Sequence, residues 1–523
     1  MTGAASDPPP GASLDEVVAA RRHAATMLLS QGVSPWNVDF DRDATTREAI
    51  SRLAAFEGGG STGATARARV AGRILARRSS GGLGFADLHD ESGRLQLMVE
   101  RDRTPAPVFA WVEGLDLGDI VGVTGPLLRT RRGEPTLLVE EGCLLAKALR
   151  PPAEKYHGLQ DIEARYRRRH LDLLTTPARR RPFVQRTEVI RALRAELDRQ
   201  GFLEVETPVL QAIPGGGHAR PFATRHNALD QDLYLRIAME LPLKRLIIAG
   251  FGRVYEIGRV FRNEGLSPRH LPEFTMLEAY QAYSGREAMA TLTERLIGAA
   301  AVAADAVPGV PEGERTIDLT PPFRRVGMAE LVRETVGIDV LAGWDDPEAL
   351  AREARRLGID IPQGATSGVI LATCYEERAE RTLERPTFVL DHPLETSPLA
   401  RRLPTDPRFA ERFELVAGGR ELVNAFAELN DPLDQRRRFE EQAQRRVEGD
   451  LEAHPMDQEF LEALEQGMPP TGGLGLGVDR LVMLVVGAPA IRDVVLFPTL
   501  RQREPVRAPD GVPGLPAGRP PTL

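Results

Sequence analysis

The sequence predicts an α+β protein in which a small five-stranded β-barrel precedes a larger domain of strands and helices. The barrel is predicted by five short runs after Ala66 in which apolar residues recur at every second position, with glycine-rich turns between them. The larger domain is predicted by helix-like stretches, such as 184–197 and 347–357, that alternate with strands. A chain of 523 residues also exceeds the size of one hydrophobic core, so two or three domains are expected.

The first elements are an N-terminal extension and the barrel. Residues 1–12 are small and proline-rich, which predicts a disordered start, and 14–29 carries apolar residues at helical spacing. We therefore assign 1–65 to a helical extension and 66–149 to the barrel. The strand-like runs of the barrel are 68–74, 85–88, 95–99, 120–124 and 137–139.

The larger domain begins after a break in the barrel pattern. Pro151 and Pro152 end that pattern, and the basic segment 161–174 predicts a helix between the two domains. The main domain is assigned to 181–503. Within it, 285–385 carries no motif and is expected to form a helical insertion, while the Pro- and Gly-rich stretch 504–523 is expected to be a tail.

Composition is that of a globular protein and does not exclude nucleic acid as a partner. The chain is 42% hydrophobic and 27% charged, with a net charge of -8. Because phosphate contact requires only a local basic surface, arginine clusters at 164–169 and 179–186 are compatible with RNA binding. Only three lysines occur, Lys147, Lys155 and Lys244, a bias that we attribute to a GC-rich genome.

The two cysteines indicate neither a zinc site nor a disulfide framework. Cys143 and Cys374 lie far apart and lack metal-ligand spacing. No apolar run reaches the roughly 18 residues of a membrane helix, and the N-terminus lacks the pattern of a signal peptide. We therefore expect a cytoplasmic protein without zinc.

Two distant segments predict one nucleotide site. Arg262 and Glu264 lie two residues apart, so on a strand they would point to the same face, and the residues that follow suggest a loop and a returning strand. In the second segment, 473–480 (GLGLGVDR), alternate glycines leave one strand face bare, so that a flat or charged ligand can approach the backbone. An anionic ligand is expected because this run ends in Arg480.

These segments resemble motifs 2 and 3 of the class II aminoacyl-tRNA synthetases. The segment 201–208 (GFLEVETP) resembles motif 1, and all three motifs occur in the family's order. The chain is similar to the bacterial lysine–tRNA ligases of this class nearly from end to end. The resemblance implies an OB-fold anticodon-binding barrel at 66–149, a hinge at 150–180, a catalytic domain built on an antiparallel sheet with flanking helices, and a homodimer formed through motif 1.

The resemblance also implies how ATP is held. Arginine suits a reaction between two anions because its planar guanidinium binds phosphate and carboxylate and stays charged. By resemblance, Arg262 would bridge the substrate carboxylate and the α-phosphate, Glu264 would read the adenine amino edge, and Arg480 would stack over adenine. These three are the implied catalytic residues. The implied ATP-binding residues are Arg262, Glu264, Arg269, His270, Phe274 and Arg480.

Recognition of lysine requires a buried negative end for the ε-ammonium, an apolar wall and a separate acceptor for the α-amine. By resemblance, Glu428 and Tyr280 would meet the ε-ammonium, and Glu240 would lie at the α-amine. Such an acidic pocket separates lysine from the substrates of aspartate- and asparagine-specific relatives. The implied lysine-binding residues are Gly216, Glu240, Glu278, Tyr280, Asn424, Phe426 and Glu428.

The remaining implied contacts are to magnesium and to the anticodon. By resemblance, Glu414 and Glu421 would hold magnesium beside ATP, with about two to three ions in all, because hard carboxylate oxygens are what Mg²⁺ prefers. On the barrel, Arg77, Phe85 and Gln96 would contact the anticodon bases of tRNA by stacking and edge hydrogen bonds.

Three positions depart from the family's pattern: Leu271 in the motif 2 loop, His218 in the glycine-rich turn, and Pro242 after Glu240. None removes an implied contact, but Leu271 could loosen the loop that closes over ATP. Two alternatives to lysine–tRNA ligation stay open at this point. One is transfer of activated lysine to another acceptor, such as a protein side chain or a lipid, and the other is a non-catalytic tRNA-binding protein.

Overall fold

The computed structural model describes residues 12–37, 39–58, 65–152, 159–217, 219–306, 309–312, 315–450 and 453–501. The chain divides into two compact units, Met1–Pro177 and Ala178–Leu523. The predictions for residues 1–11 and for the tail at 504–523 lie outside the described residues. Among the described residues, no helix combines the length and the apolar character needed to cross a membrane.

The first unit contains five helices and six strands among its described residues. Its elements are α1 Leu14–Ser30, α2 Thr46–Gly58, β1 Arg67–Ser80, β2 Leu83–His89, β3 Arg94–Glu100, α3 Ala106–Glu113, β4 Ile120–Arg129, β5 Pro135–Leu138, β6 Glu141–Ala146, α4 Ile162–Arg167 and α5 Arg169–Thr175. The predicted first helix is confirmed, because α1 covers 14–29 and a capping box between Ser13 and Glu16 starts it.

Strand pairing closes the first unit into a barrel. The order is β1-β2-β3-β5-β4, and β4 pairs back with β1. The prediction of five strands is confirmed when β5 and β6 are counted as one strand that is interrupted at 139–140. Both parts pair antiparallel with β4, one after the other along its length. Side chains along each strand alternate between the two faces, and those that point inward fill the barrel. Examples are Val70, Leu88 and Leu97, each at most 1% exposed. This is the closed five-stranded architecture of an OB-fold.

The predicted single helix at 161–174 is instead two helices. Arg168 adopts φ -116° and ψ 48°, which ends α4 and starts α5. The bend brings Arg165 and Arg169 to the same carboxylate, since their guanidinium nitrogens lie 3.3 and 3.5 Å from the oxygens of Asp172. Asp172 is fully buried, so the two ion pairs offset the cost of burying its charge.

The second unit is built on one large sheet. Its elements are α6 Arg181–Arg199, β7 Leu203–Glu204, β8 Leu210–Gln211, β9 Ala223–His226, β10 Gln231–Leu235, α7 Glu240–Ile248, β11 Arg253–Phe261, β12 Glu273–Ala282, α8 Arg286–Ala303, β13 Gly309–Glu312, β14 Arg315–Asp318, β15 Arg324–Gly327, α9 Met328–Val336, α10 Pro347–Arg356, α11 Ser367–Cys374, β16 Thr387–Pro393, β17 Phe409–Val416, β18 Glu421–Ala427, α12 Pro432–Val447, α13 Gln458–Glu465, β19 Thr471–Gly477 and α14 Val478–Val486.

The sheet has the order β15-β16-β17-β18-β19-β12-β11-β7. Only its two edge pairs, β15 with β16 and β7 with β11, are parallel, which confirms the expected antiparallel catalytic sheet. Alternation along β12 sends Leu277 and Ala279 into a core shared with α6, α8 and α14. Tyr280 points to the other face, where α7 and α13 pack. The sheet is therefore covered by helices on both faces.

The segment 285–385 differs from the predicted helical insertion. Its first helix, α8, packs on the main sheet, and β15 adds a strand to that sheet's edge. Only the later part, α9 to α11, forms a separate helical layer around residues such as Leu331, Leu350 and Ile370. Neither part carries a readable motif, so the sequence did not separate them.

Candidate active site

The predicted strand, loop and returning strand of the first motif are confirmed as β11, the connection 262–272, and β12. The prediction that Arg262 and Glu264 lie on a strand is wrong, because β11 ends at Phe261. The backbone N–H of Arg262 instead donates to the carbonyl of Pro272 at 2.9 Å, which closes the base of the loop. The two side chains are therefore placed by the loop rather than by strand alternation.

One cavity of about 350 Å³ opens beside the middle of the sheet. It is lined by residues from the β11–β12 loop, β12, β17, β18, β19, α7 and the start of α14. All the residues predicted for ATP, lysine and magnesium line it: Gly216, Glu240, Arg262, Glu264, Arg269, His270, Phe274, Glu278, Tyr280, Glu414, Glu421, Asn424, Phe426, Glu428 and Arg480. The fold thus brings together residues that lie more than 250 positions apart in the sequence.

Arg262 is positioned as an anion-binding group. Its guanidinium lies 5.3 Å from the ring centre of Phe274, and its buried Nε has no hydrogen-bond partner among the described residues. Burial lowers the pKa of Arg262, although nearby carboxylates such as Glu264 oppose the shift. A buried guanidinium nitrogen without a hydrogen-bond partner is costly, so this arrangement favours a bound phosphate or carboxylate.

Arg480 and His270 form a second anion-facing group. Nη1 of Arg480 lies 3.0 Å from Oε2 of Glu421, and Nη2 donates to Nε2 of His270 at 3.2 Å. Partial burial and the charge of Arg480 lower the pKa of His270, so the ring is neutral at pH 7. Its Nδ1 then carries the proton and donates to Ser267 at 2.9 Å.

The two predicted metal-binding carboxylates are each paired with an arginine. Oε1 of Glu414 lies 2.6 Å from Arg412, and Glu421 pairs with Arg480. Across the part of the chain that the structure describes, no group of three or more His, Cys, Asp or Glu has the geometry of a metal site. Glu414 and Glu421 nevertheless fit a magnesium ion that takes its other ligands from phosphate and water, as Mg²⁺ usually does.

Sequence reasoning missed two charged residues beside these carboxylates. Arg412 lines the cavity and also donates to Oδ1 of Asn424 at 2.9 Å. Glu380 accepts the backbone N–H of Glu421 at 3.1 Å, and burial, together with Glu414 and Glu421, raises its pKa to about 7. Neither residue belongs to a readable motif, so only the fold reveals them.

The predicted lysine pocket contains three buried carboxylates. Glu278 accepts the backbone N–H of Met239 at 2.8 Å and the hydroxyl of Tyr280 at 3.0 Å. Burial raises the pKa of Glu278 to about 7. Glu428 is 1% exposed, and its Oε1 has no hydrogen-bond partner among the described residues. An unpartnered buried carboxylate oxygen in a cavity fits an incoming ammonium group.

Lys244, which no motif singled out, lies directly behind this pocket. Its side chain is fully buried, and Nζ lies 2.5 Å from Oε1 of Glu240 and in contact with Oε2 of Glu428. It also lies 5.6 Å from the ring centre of Phe426. A helical (i, i+4) spacing from Glu240 was the only sequence signal of this contact.

Two glycines are required by the close packing of the pocket. A Cβ at Gly473 would lie 1.8 Å from Oε1 of Glu428 and 2.6 Å from a ring carbon of Tyr280. Gly216 has φ +83°, and a Cβ there would lie 3.0 Å from the side chain of Glu240. The bare strand face predicted for 473–477 therefore faces the pocket.

Of the three residues that depart from the family pattern, the two that the structure describes have structural explanations. Leu271 does not loosen the loop, because it is 4% exposed and packs into the main core. Pro242 is the third residue of α7, where its missing N–H would have no helical partner. His218 lies outside the described residues.

Asp479 anchors the helix that carries Arg480. Its Oδ2 accepts the backbone N–H of Thr275 at 2.7 Å, and its Oδ1 lies 2.5 Å from Arg186 of α6. Asp479 is 2% exposed. The start of α14 is therefore fixed to β12, where Phe274 lies.

The residues predicted for the anticodon do not all share one face of the barrel. Phe85 pairs with Met98, and Gln96 with Asp87, on the side of β2 and β3 that faces away from the barrel core. Gln96 is nevertheless only 4% exposed, and its Oε1 accepts a hydrogen bond from the hydroxyl of Thr136 at 3.1 Å. Arg77 instead pairs with Ala86 on the core side and donates to the carbonyl of Glu113. Arg78 is the arginine beside Phe85, 5.1 Å from its ring centre.

Comparison with known proteins places the two units in described families. The family "tRNA synthetases class II (D, K and N)" matches residues 161–501, and "OB-fold nucleic acid binding domain" matches 68–142. Lysine--tRNA ligase of Shouchella clausii is 47% identical over 94% of this chain and 98% of its own length. The Bacillus subtilis enzyme of that name is also 47% identical, with the same coverage, and that of Moorella thermoacetica is 48% identical over 94% of this chain and 99% of its own. The chain therefore belongs to the class II tRNA synthetases of the D, K and N group, together with the lysine–tRNA ligases.

Proposed function

We propose that this protein activates L-lysine with ATP and transfers it to the 3′ end of tRNA(Lys). One observation carries the proposal: Arg262, whose buried Nε has no hydrogen-bond partner among the described residues, lines the same cavity as three buried carboxylates. An anion site beside a strongly acidic pocket suits an amino acid with a carboxylate at one end and ammonium groups elsewhere. The names of the relatives support the same activity.

Arg262 would hold the two reacting anions together. A carboxylate oxygen of lysine attacks the α-phosphorus of ATP, the bond to the bridging oxygen breaks, and pyrophosphate leaves. The ribose hydroxyl of tRNA then attacks the carbonyl carbon of the adenylate, and AMP leaves. Preorganised arginines favour the first step because they stabilise charge that develops on phosphate oxygens.

ATP would lie along the loop and the start of α14. Phe274 offers one face to adenine and Arg480 the other, while Glu264 reads the amino edge and Arg269 and His270 meet the outer phosphates. The in-plane pair of Arg480 with Glu421, at 3.0 Å, would orient the guanidinium whose flat face stacks on adenine. About two to three magnesium ions would take part, held by Glu414, Glu421 and phosphate oxygens, and would neutralise phosphate charge.

Lysine would enter with its ε-ammonium toward Glu428. Tyr280 and Glu278 lie beside that end, and Phe426 with Asn424 lines the wall. Glu240 and Gly216 would surround the α-amine. The aromatic wall suits the methylenes, whereas the carboxylates suit the charged ends.

The proposal includes tRNA recognition by the barrel and a homodimer. Phe85 and Gln96 lie on one outer face, to which Arg77 would add a contact only by reorienting. Exposed apolar residues lie within the motif 1 segment and directly after it, namely Leu203, Val209, Leu210 and Ile213, at 50%, 39%, 47% and 39%. We expect light scattering at micromolar concentration to give the mass of a dimer. A monomer at that concentration would contradict the proposed homodimer.

The cytoplasm, where ribosomes use charged tRNA, is the proposed location.

The deciding experiment is ATP–pyrophosphate exchange with each of the twenty amino acids, followed by charging of total tRNA. Exchange that depends on lysine, together with charging, is the expected result. Exchange without charging would favour transfer to an acceptor other than tRNA. A chain that binds tRNA but shows no exchange would instead be a non-catalytic relative.

A further inference from the structure

The amino-acid pocket has a cation of its own. Lys244 is fully buried on α7, and its ammonium contacts both Glu240 and Glu428, which stand at the two expected amine positions. It does not line the cavity, so it cannot touch a bound substrate. Its effect on a substrate must therefore pass through the two carboxylates.

The charges of the buried groups determine how many positive charges a ligand must bring to neutralise the pocket. Three carboxylates, Glu240, Glu278 and Glu428, are at most 7% exposed, and Lys244 is the ammonium among them. When all are ionised, two negative charges stay uncompensated. Free lysine supplies two ammonium groups, and its carboxylate is assigned to Arg262. An uncompensated buried charge is strongly unfavourable, so the pocket is balanced only by two added positive charges.

We propose that Lys244 sets the charge of this pocket so that it accepts amino acids with two ammonium groups. It is thus a specificity-determining positioning residue, and this inference rests on the proposed function. Lys244 also fixes the geometry of the site, because one ammonium between two carboxylates leaves Oε1 of Glu428 directed away from Lys244 and available to the substrate.

The titratable groups around Lys244 come from several elements. Glu240 on α7 and Glu428 after β18 act on Lys244 directly, and Glu278 on β12 acts on Glu428. Tyr280 on β12 and Glu256 on β11 act on Glu278, and Glu256 is itself paired with Arg236. Burial raises the pKa of Glu428, and Lys244 opposes that shift. Burial alone would lower the pKa of Lys244, but Glu240 and Glu428 raise it above its usual value. Burial also raises the pKa of Tyr280, so its phenol stays neutral.

The first test is Lys244→Met, measured by lysine-dependent pyrophosphate exchange from pH 6 to pH 9. Without the internal cation, lysine leaves one of the three negative charges uncompensated, so one carboxylate must hold a proton in the complex and can no longer pair with an ammonium group as an anion. We expect KM for lysine at pH 7 to rise by about tenfold or more, while kcat and KM for ATP change by less than about threefold. The pH above which KM stops falling should move up by about one unit.

Lys147→Met is the matched control. Lys147 is also a buried lysine between two carboxylates, with Nζ at 2.6 Å from Asp116 and 2.8 Å from Asp119, but it lies in the barrel unit. This change is expected to leave KM for lysine and its pH profile unaltered. If Lys244→Met behaves like Lys147→Met, the inference is overturned. Absence of lysine-dependent exchange in the unaltered protein would instead overturn the proposed function.

A double variant covers the case in which Lys244→Met does not fold. Lys244→Met with Glu240→Gln removes both members of an ion pair, which is usually tolerated better than removing one. In the Glu240→Gln background Lys244 is a surplus cation, so removing it is expected to lower KM for lysine. An increase of KM in both backgrounds would contradict the charge balance.

Discussion

Arg262 is the residue on which the proposed chemistry depends most. We predict that Arg262→Ala lowers kcat of lysine-dependent pyrophosphate exchange by a factor of about 100 or more, equivalent to about 3 kcal/mol, because a charge-stabilising donor is lost from a dry site. Arg191 of α6, whose side chain is 68% exposed, provides the control, and Arg191→Ala should retain activity. Exchange near the unaltered rate in Arg262→Ala would remove this residue from the mechanism.

The raised pKa of Glu278 leads us to expect that lysine binding depends on pH. Its pKa in the empty pocket is about 7, because burial disfavours the charged form. A carboxyl whose pKa is raised on folding destabilises the empty protein as pH rises from 4.5 to about 7, and a bound ammonium relieves this cost. KM for lysine is therefore expected to rise about tenfold per unit as pH falls below 7.

The measurement that checks this is KM for lysine between pH 5.5 and pH 8.5, with ATP saturating. Glu278→Gln is expected to bind lysine more weakly at pH 8 and to flatten the profile below pH 7, because the titrating group is absent. If KM for lysine still rises below pH 7 to the same extent in Glu278→Gln, the titrating group is another one, such as Glu428.

At the scale of elements, β19 shows how one strand serves two parts of the site. Its glycines face the pocket at Gly473 and face Arg480 at Gly477. We predict that Gly473→Ala abolishes lysine binding while ATP binding persists, because the added Cβ would overlap Glu428 at 1.8 Å. Gly477→Ala is the control, since its Cβ would lie 3.7 Å from Arg480, which is ordinary contact.

Calorimetric titration of both variants with lysine and with ATP checks this prediction. Gly473→Ala is expected to give no heat with lysine at concentrations about 100-fold above the unaltered dissociation constant, a loss of more than about 2.7 kcal/mol. If both variants lose lysine equally, the effect reflects the strand as a whole rather than contact with Glu428.

At the scale of the whole molecule, two units divide the proposed tasks. In the proposed function, the chemistry is assigned to the unit Ala178–Leu523 and anticodon recognition to the unit Met1–Pro177. We predict that Phe85→Ala lowers kcat/KM for tRNA charging by about 5- to 150-fold, since stacking of a base on an aromatic ring is worth about 1–3 kcal/mol. Pyrophosphate exchange should stay unchanged.

Phe40→Ala tests whether that loss is specific to Phe85. Phe40 is an aromatic residue of the same unit that also lies under an arginine, with Arg69 at 4.5 Å from its ring centre. Charging assays with both variants are expected to show the loss only for Phe85→Ala. Equal losses would indicate general damage to the barrel.

Local patterns in the sequence predicted the fold class and named most of the residues that line the cavity. Alternation of apolar residues identified the barrel strands, because each strand needs one face in the core and the pattern is local. The three motifs identified the family, and the residues implied for ATP and lysine all line one cavity.

Contacts between segments that are distant in the sequence could be seen only once the chain was folded. Lys244 and Glu428, which form an ion pair, lie 184 positions apart in the sequence. Asp479 accepts a hydrogen bond from the backbone N–H of Thr275, which lies 204 positions away. No local pattern predicts either contact. The sequence did not predict which face of the barrel Arg77 occupies, because a bulge between Ile74 and Ala76 shifts the register of β1. Burial, which raises the pKa of Glu278 and traps Lys244 between two carboxylates, exists only after these segments pack together.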